Sequence, residues 1–204
     1  MARKRKANNG SGRASLLQRM IDRPANISTA NALLWGLAWL IVGSILGWYF
    51  DLVPKSAFGY VWGHVSLAWS VVFNAIVWIS STVVLFAAAV MHNRRVGVVD
   101  IFGRMLFAHW PVVLLMLPAI VGDKVAYTTF MTSPAYVFEQ SPIYATLMMV
   151  IVAVILLWVL YWGYRAFSRA TSKSGIVTLI LYVVAMVFAY WLSEVAINAV
   201  YSNM

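Results

Sequence analysis

Five long apolar stretches limit what this chain can fold into more than any other feature. They cover residues 31–50, 65–91, 105–122, 143–164 and 176–200. A bilayer core of about 30 Å needs about 20 mostly apolar residues in a helix. An apolar run in lipid must also satisfy its own backbone hydrogen bonds, and these runs are too continuous for barrel strands. The sequence therefore predicts an all-α, polytopic integral membrane protein with a bundle of five transmembrane helices.

The composition supports this class and excludes several kinds of site. The chain is 63% hydrophobic and 10% charged, whereas soluble domains are about 45–50% apolar and about 25% charged. It contains no cysteine, which excludes disulfides, thiolate metal sites and cysteine catalysis. His64, His92 and His109 are too dispersed for a metal site of sequence-local ligands. We expect neither a metal nor a cofactor.

The net charge of +9 comes largely from the N-terminus. Residues 1–30 form a basic tail rich in Gly, Asn and Ser, with no aromatic side chain, and residues 31–204 form the five-helix domain. Basic tails of this kind lie against anionic lipid headgroups. Without an aromatic platform, the tail does not favour nucleic-acid binding. The first apolar run is predicted to stay as a signal anchor, because no small-residue cleavage site follows it.

The basic residues also predict the orientation. Thirteen of the 15 lysines and arginines lie in the tail, in 92–104 or in 165–175, and the alternate loops contain only Lys55 and Lys124. Basic residues are enriched in cytoplasmic loops. The N-terminus is therefore predicted to be cytoplasmic and the C-terminus external.

The stretch VVDIFGRMLFAHWP at 98–111 precedes and enters the third span. Its apolar residues recur at helical spacing, which predicts an amphipathic helix in the cytoplasmic membrane interface before that span. Those residues are Val98, Ile101, Phe102, Met105 and Leu106. Asp100 precedes Arg104 by four positions, the favourable order for a helical ion pair worth a few tenths of a kcal/mol when exposed.

The third span is short and contains His109, Pro111 and Pro118. Proline frees backbone carbonyls and kinks a membrane helix. Three interpretations stay open: a kinked helix with His109 bonded to a neighbour, a polar functional site at the kink, or a re-entrant segment.

Two further polar residues lie within spans. Glu194 is near the predicted outer end of the fifth span, and an intramembrane carboxylate is a functional hypothesis by default. It either reaches water or pairs with Lys124, or it shares a proton or cation site with His109 or Asn74. Asn74, in the second span, is typical of hydrogen bonding between helices.

No motif predicts an enzyme. The chain has no phosphate-binding loop, no dinucleotide fingerprint and no nucleophile motif of a serine-type membrane protease. Its six acidic residues are too scattered for a two-aspartate lipid-synthase site.

The layout resembles the Yip1-domain family of five-span membrane proteins. The segment RRVGVVDIFGRMLFAHWPVVLLMLP is similar to that family's polar-to-apolar approach to the third span. The segment LYWGYRAFSRATSKSGIVTLILYVVAMVFAYWLSEVAINAV is similar to the end of bacterial members. The basic tail replaces the acidic, aromatic N-terminal motif of eukaryotic members, so the resemblance does not extend to Rab GTPase binding. It implies a non-enzymatic protein of a bacterial inner membrane.

Two functions follow as hypotheses. The first is a membrane-organising, scaffold or trafficking-type protein that self-associates and contacts lipid and other membrane or cytoplasmic proteins. The second is a small-molecule or ion transporter or channel with a path lined by Glu194, His109 and Asn74. A transporter should bring these three residues to one wet cavity, and a scaffold should scatter them.

Overall fold

The computed structural model describes residues 23–202, so most of the predicted basic tail lies outside the described residues. In chain order its elements are α1 (Arg23–Asn26), α2 (Thr29–Tyr49), β1 (Leu52–Ser56), β2 (Gly59–Trp62), α3 (Leu67–His92), α4 (Val98–His109), a 3-10 segment (Trp110–Met116), α5 (Leu117–Val121), α6 (Lys124–Thr132), α7 (Pro134–Gln140), α8 (Pro142–Thr171) and α9 (Ile176–Tyr201).

Five candidate spans confirm the predicted helical class. They are α2, α3, the composite Val98–Val121, α8 and α9, and each is long and apolar enough to cross a membrane. Their ends differ from the prediction in two places. The third begins at Val98, and the fourth continues to Thr171, so most of the basic loop expected at 165–175 is helical.

Local capping explains several helix ends. Ser28 accepts a hydrogen bond from the Asn31 amide before α2, and Ser66 accepts one from the Trp69 amide before α3. Serine is a preferred N-cap because its hydroxyl satisfies a free amide of the first turn. Ser172 ends α8 in the left-handed conformation, with φ of 54°. These are local signals in an otherwise uniformly apolar sequence.

The third span is interrupted as its prolines predicted. The α-helix ends at His109, and the residues from Trp110 to Met116 form a 3-10 segment with Pro111 at its start. Proline has no amide hydrogen to donate to the preceding turn. The break therefore lies next to His109.

Helix α4 is buried around most of its circumference. Ile101 and Met105, on the predicted apolar face, are buried, but so are Gly103, Phe107 and Arg104. It packs against α2, α3 and α8. The amphipathic character of this helix and its position in the membrane interface stay predictions.

The segment between the first two spans folds into a hairpin inside the bundle. β1 and β2 pair antiparallel with Leu52 opposite Trp62, and the register is irregular between Pro54 and Ser56. Leu52 and Ala57 have no exposed surface. Proline in a strand is tolerated at such an irregularity. Most of this hairpin is buried in protein, and Trp62 at the end of β2 is exposed.

Two short helices, α6 and α7, occupy the segment between the third and fourth spans. Asp123 caps α6 by accepting hydrogen bonds from the amides of Val125 and Ala126 at 2.7 and 3.2 Å. Tyr127 and Phe130 of α6 join the core formed around Leu115. Helix α6 packs against β2, and the Trp62 amide donates to Thr128 Oγ1 at 2.7 Å.

Candidate functional site

The tip of the hairpin reaches two membrane-length helices. His109 Nε2 lies 2.8 Å from the Ala57 carbonyl oxygen, and the Ala57 amide donates to Ser193 Oγ at 2.9 Å. Because a carbonyl only accepts, His109 donates here through Nε2–H. Phe58 stacks on Tyr190, with ring centroids 6.3 Å apart. The expectation that His109 bonds to a neighbouring element is confirmed, and the neighbour is the hairpin.

Asn74 also bonds to the hairpin. Tyr60 Oη donates to Asn74 Oδ1 at 3.2 Å, and Asn74 Nδ2 donates to the Ser70 carbonyl at 2.9 Å. Tyr60 is 4% exposed, and this burial raises the pKa of its phenol far above the usual range. Asn74 therefore holds the second strand, as His109 holds the tip.

A cavity of about 50 Å³ lies beside these contacts. Its lining includes His109, Asn74, Tyr60, Ser56, Trp39, Trp78 and Trp110. A volume of this size admits a few water molecules. Two of the three residues expected in a transport path therefore share one cavity, and Glu194 is not part of its lining.

Glu194 pairs with a different lysine from the one predicted. Its carboxylate lies 3.9 Å from Lys55 Nζ, with the two side chains 28% and 32% exposed. Lys124, the predicted partner, instead lies 3.6 Å from Asp51. Of the alternatives for Glu194, the pairing with Lys124 was wrong, because β1 brings Lys55 against α9. A pair this exposed contributes at most about 1 kcal/mol.

Asp100 and Arg104 form the predicted helical ion pair, with Arg104 Nε 2.8 Å from Asp100 Oδ1. The pair is more buried than an exposed helix pair. Arg104 also donates to the carbonyls of Pro24 and Ile27 at 3.3 and 3.0 Å, and Thr29 donates to Asp100. The ion pair thus ties α4 to the start of α2 and has a structural role.

A third polar group, not found from the sequence, closes the base of the hairpin. Asp51 lies 2.7 Å from His64 Nδ1 and 3.6 Å from Lys124 Nζ. The hydrogen bond from His64 lowers the pKa of Asp51. Burial acts in the opposite direction, and the nearby Lys124 charge adds to the lowering. Asp51 has a φ of 55°, the left-handed conformation that turns the chain from α2 into β1. The sequence signal for this group was the acidic Asp51 and the basic His64 at the two ends of the segment between the first two spans.

The other end of the bundle is tied by hydrogen bonds that join the ends of α3, α8 and α9. His92 Nε2 lies 2.9 Å from Thr178 Oγ1, and Lys173 Nζ donates to the His92 carbonyl at 2.7 Å. Asn93 Nδ2 donates to the Thr171 carbonyl at 2.8 Å. Each of the three histidines therefore has an internal bond, and no cluster of three metal-ligating side chains occurs within 23–202.

Comparison with known proteins adds no relative. No family model matches the sequence, no curated protein is significantly similar to it, and no solved structure matches the fold.

Proposed function

We propose that this protein is a non-enzymatic integral membrane protein, Yip1-like, that organises the membrane or scaffolds other proteins through helix and lipid contacts. The supporting observation is that its own hairpin packs among α2, α3 and α9, with Leu52 and Ala57 fully buried. An interior occupied by the chain's own backbone leaves little room for a substrate path. The outward helix faces are then the surface available for function.

Those outward faces are strongly apolar. On α9, Val187, Phe188 and Trp191 are 63%, 59% and 59% exposed. Contiguous apolar surface of this extent marks contact with lipid or with another protein. It suits a lipid bilayer, a second copy of this chain or an unidentified membrane partner.

We further propose a bacterial inner-membrane location with a cytoplasmic N-terminus. Arg94, Arg95 and Arg169 are exposed near the ends of α3 and α8. At the other end of the bundle, Lys55 and Lys124 are each paired with a carboxylate. The unequal distribution of exposed positive charge supports this orientation.

Single cysteines test the orientation, because the native chain has none. We would introduce His64→Cys, Ser133→Cys and Ser202→Cys for the predicted external side, and Arg94→Cys and Ser172→Cys for the cytoplasmic side. An impermeant thiol reagent should label only the first group in intact cells. Labelling of the second group instead would reverse the proposed orientation.

The function is tested in liposomes that contain the purified chain. We expect donor- and acceptor-labelled copies to show energy transfer that exceeds the level of random crowding, and we expect solute and ion permeability equal to that of empty liposomes. Absence of association at every protein-to-lipid ratio would contradict the scaffold proposal.

A transporter or channel is the second candidate, because Asn74 and His109 line the same cavity. This candidate predicts a solute or ion flux above that of empty liposomes, lost in His109→Ala and Asn74→Ala. A matched control is His92→Ala, since His92 lies outside that cavity and bonds to Thr178. A flux that both cavity variants abolish and the control retains would replace the scaffold proposal.

A further inference from the structure

A second, smaller cavity of about 10 Å³ lies among α3, α4, α8 and α9. Its lining includes Trp78, Ser81, His109, Gly163 and Tyr182. His109 and Trp78 also line the larger cavity, so both cavities meet the same two side chains.

Three buried polar atoms belong to the lining of this small cavity: Trp78 Nε1, Ser81 Oγ and Tyr182 Oη. None of them has a hydrogen-bond partner among the described residues. Ser81 is 4% exposed and Tyr182 is 1% exposed. Burial of a hydroxyl or an indole N–H without a partner is costly, and such groups in folded proteins are nearly always satisfied. Three at one cavity therefore indicate a bound molecule.

The neighbours of Ser81 show that its free hydroxyl is not a general property of this helix. Ser80 Oγ donates to the Ile76 carbonyl at 2.7 Å, and Thr82 Oγ1 donates to the Trp78 carbonyl at 2.7 Å. Serine and threonine in helices commonly bond backward in this way. Ser81 makes no such bond, so its hydroxyl is available to a ligand in the cavity.

Gly163 gives this site its shape. A Cβ at position 163 would lie 2.0 Å from Tyr182 Oη. Any larger residue would displace the phenol from its position in the cavity wall. The glycine is therefore required for the hydroxyl of Tyr182 to reach α8.

We propose that this cavity is a binding site for one water molecule that joins Trp78, Ser81, Tyr182 and His109. The volume suits a single water and nothing larger. The indole N–H only donates, which opposes a metal cation and requires a ligand that accepts. Since His109 donates through Nε2 to Ala57, its other ring nitrogen is an acceptor in the neutral imidazole. Water supplies both donors and acceptors.

This water would connect α3 and α9 to the hairpin tip through the His109 ring. The inference goes beyond the proposed function and holds equally for a scaffold and for a transporter. It assigns a ligand of one chemical class to a site that the sequence did not indicate.

Water-edited solid-state NMR on the full-length chain in lipid vesicles tests the site directly. We expect magnetisation from water to reach the side-chain signals of Ser81 and Tyr182. Phe167 serves as the dry internal control, because it has no exposed surface and packs on Tyr182. Transfer should be lost in Gly163→Ala. If the wild-type signals of Ser81 and Tyr182 receive no more transfer than Phe167, the proposal is wrong.

Two milder variants keep the test independent of Gly163→Ala, which can disturb folding. Ser81→Ala and Tyr182→Phe should each lower the melting temperature by a few degrees. The melting temperature of the double variant should fall by less than the sum of the two single decreases, because both hydroxyls bind the same molecule. Ser80→Ala is the matched control, with its hydroxyl bonded within α3. Melting at or above the wild-type temperature in both single variants would show that the hydroxyls have no partner to lose.

Discussion

His109 and Ser193, on two different helices, bind opposite polar groups of the same residue: one contacts the carbonyl of Ala57 at 2.8 Å and the other accepts from its amide at 2.9 Å. Together they satisfy both backbone groups of Ala57 at the hairpin tip. The histidine next to the break in the third span is thereby explained by the backbone of a loop that lies far away in the sequence.

We expect removal of either contact to loosen the hairpin. His109→Ala or Ser193→Ala leaves one buried backbone group without a partner, at a cost of about 1–3 kcal/mol. A cysteine at position 56, where the native serine is 3% exposed, should then react faster with a thiol reagent. The control is Ser202→Ala, whose hydroxyl bonds to Ala199 in its own helix. Equal reaction rates in all four backgrounds would mean that these two bonds do not hold the hairpin.

The Asp100–Arg104 pair should matter more than an exposed helix pair. Arg104→Met removes the guanidinium that bonds Asp100 and two carbonyls. Charged hydrogen bonds contribute about 1.5–3 kcal/mol each. Bonds within one network are not additive, so we expect a loss of roughly 2–4 kcal/mol in the free energy of unfolding. Arg94→Met, at an exposed position, should change it by less than about 0.5 kcal/mol. Similar small effects in both variants would show that Arg104 contributes no more to stability than an exposed arginine.

Glu194 and Lys55 should contribute little to stability. Both side chains are about one-third exposed and their charges are 3.9 Å apart, so a double-mutant cycle of Glu194→Gln and Lys55→Met should give a coupling below about 1 kcal/mol. Unfolding in detergent measures it. A coupling of several kcal/mol would indicate that the pair is desolvated and would reopen a functional role for Glu194.

The base of the hairpin should weaken in acid. The pKa of Asp51 is lowered in the folded chain, so its carboxylate stabilises the fold fully above the unfolded pKa of about 4, and this contribution is lost as pH falls through the folded value. The difference in melting temperature between wild type and Asp51→Asn should therefore shrink below about pH 4. A difference that stays constant from pH 6 to pH 3 would contradict the role of this carboxylate.

Gly47 should be less tolerant than Gly43, which lies one turn earlier in the same helix. A Cβ at Gly47 would lie 2.7 Å from the Leu52 carbonyl oxygen, whereas one at Gly43 would lie 3.1 Å from a valine methyl group. Backbone cannot move aside as a side chain can, so Gly47→Ala should destabilise by about 1–3 kcal/mol. Both substitutions gain the same helix propensity, which makes Gly43→Ala the matched control. Equal unfolding free energies in the two variants would show that the backbone at Leu52 can move to accommodate the added methyl group.

The sequence predicted the features that depend on residues close together in the chain. Apolar runs of sufficient length predicted five helices, Pro111 predicted the break in the third, and the spacing of Asp100 and Arg104 predicted their ion pair. The hairpin was missed because its strands are short, contain Pro54 and Lys55, and are stabilised by His109 and Ser193 on other helices. Its one local signal was the aromatic and β-branched run from Tyr60 to Trp62 after a glycine.

The partner of Glu194 could not be predicted for a related reason. Lys55 and Lys124 lie in the two segments expected on the same side, and the sequence does not tell which of them reaches α9. The fold of the hairpin decides it, because β1 packs against α9 and carries Lys55 with it.

The inserted hairpin also fixes an order of assembly. Ala57 and Ser193 are separated by 136 positions, so the ribosome completes the hairpin long before it makes the helix that receives it. Until α9 is made, the Ala57 amide lacks its native acceptor and β1 lacks one of the helices against which it packs. Helix α9 therefore completes the folding of a segment made 136 positions before Ser193. A nascent chain stopped before Ser193 would leave the Ala57 amide without its native acceptor, however many helices it already contained.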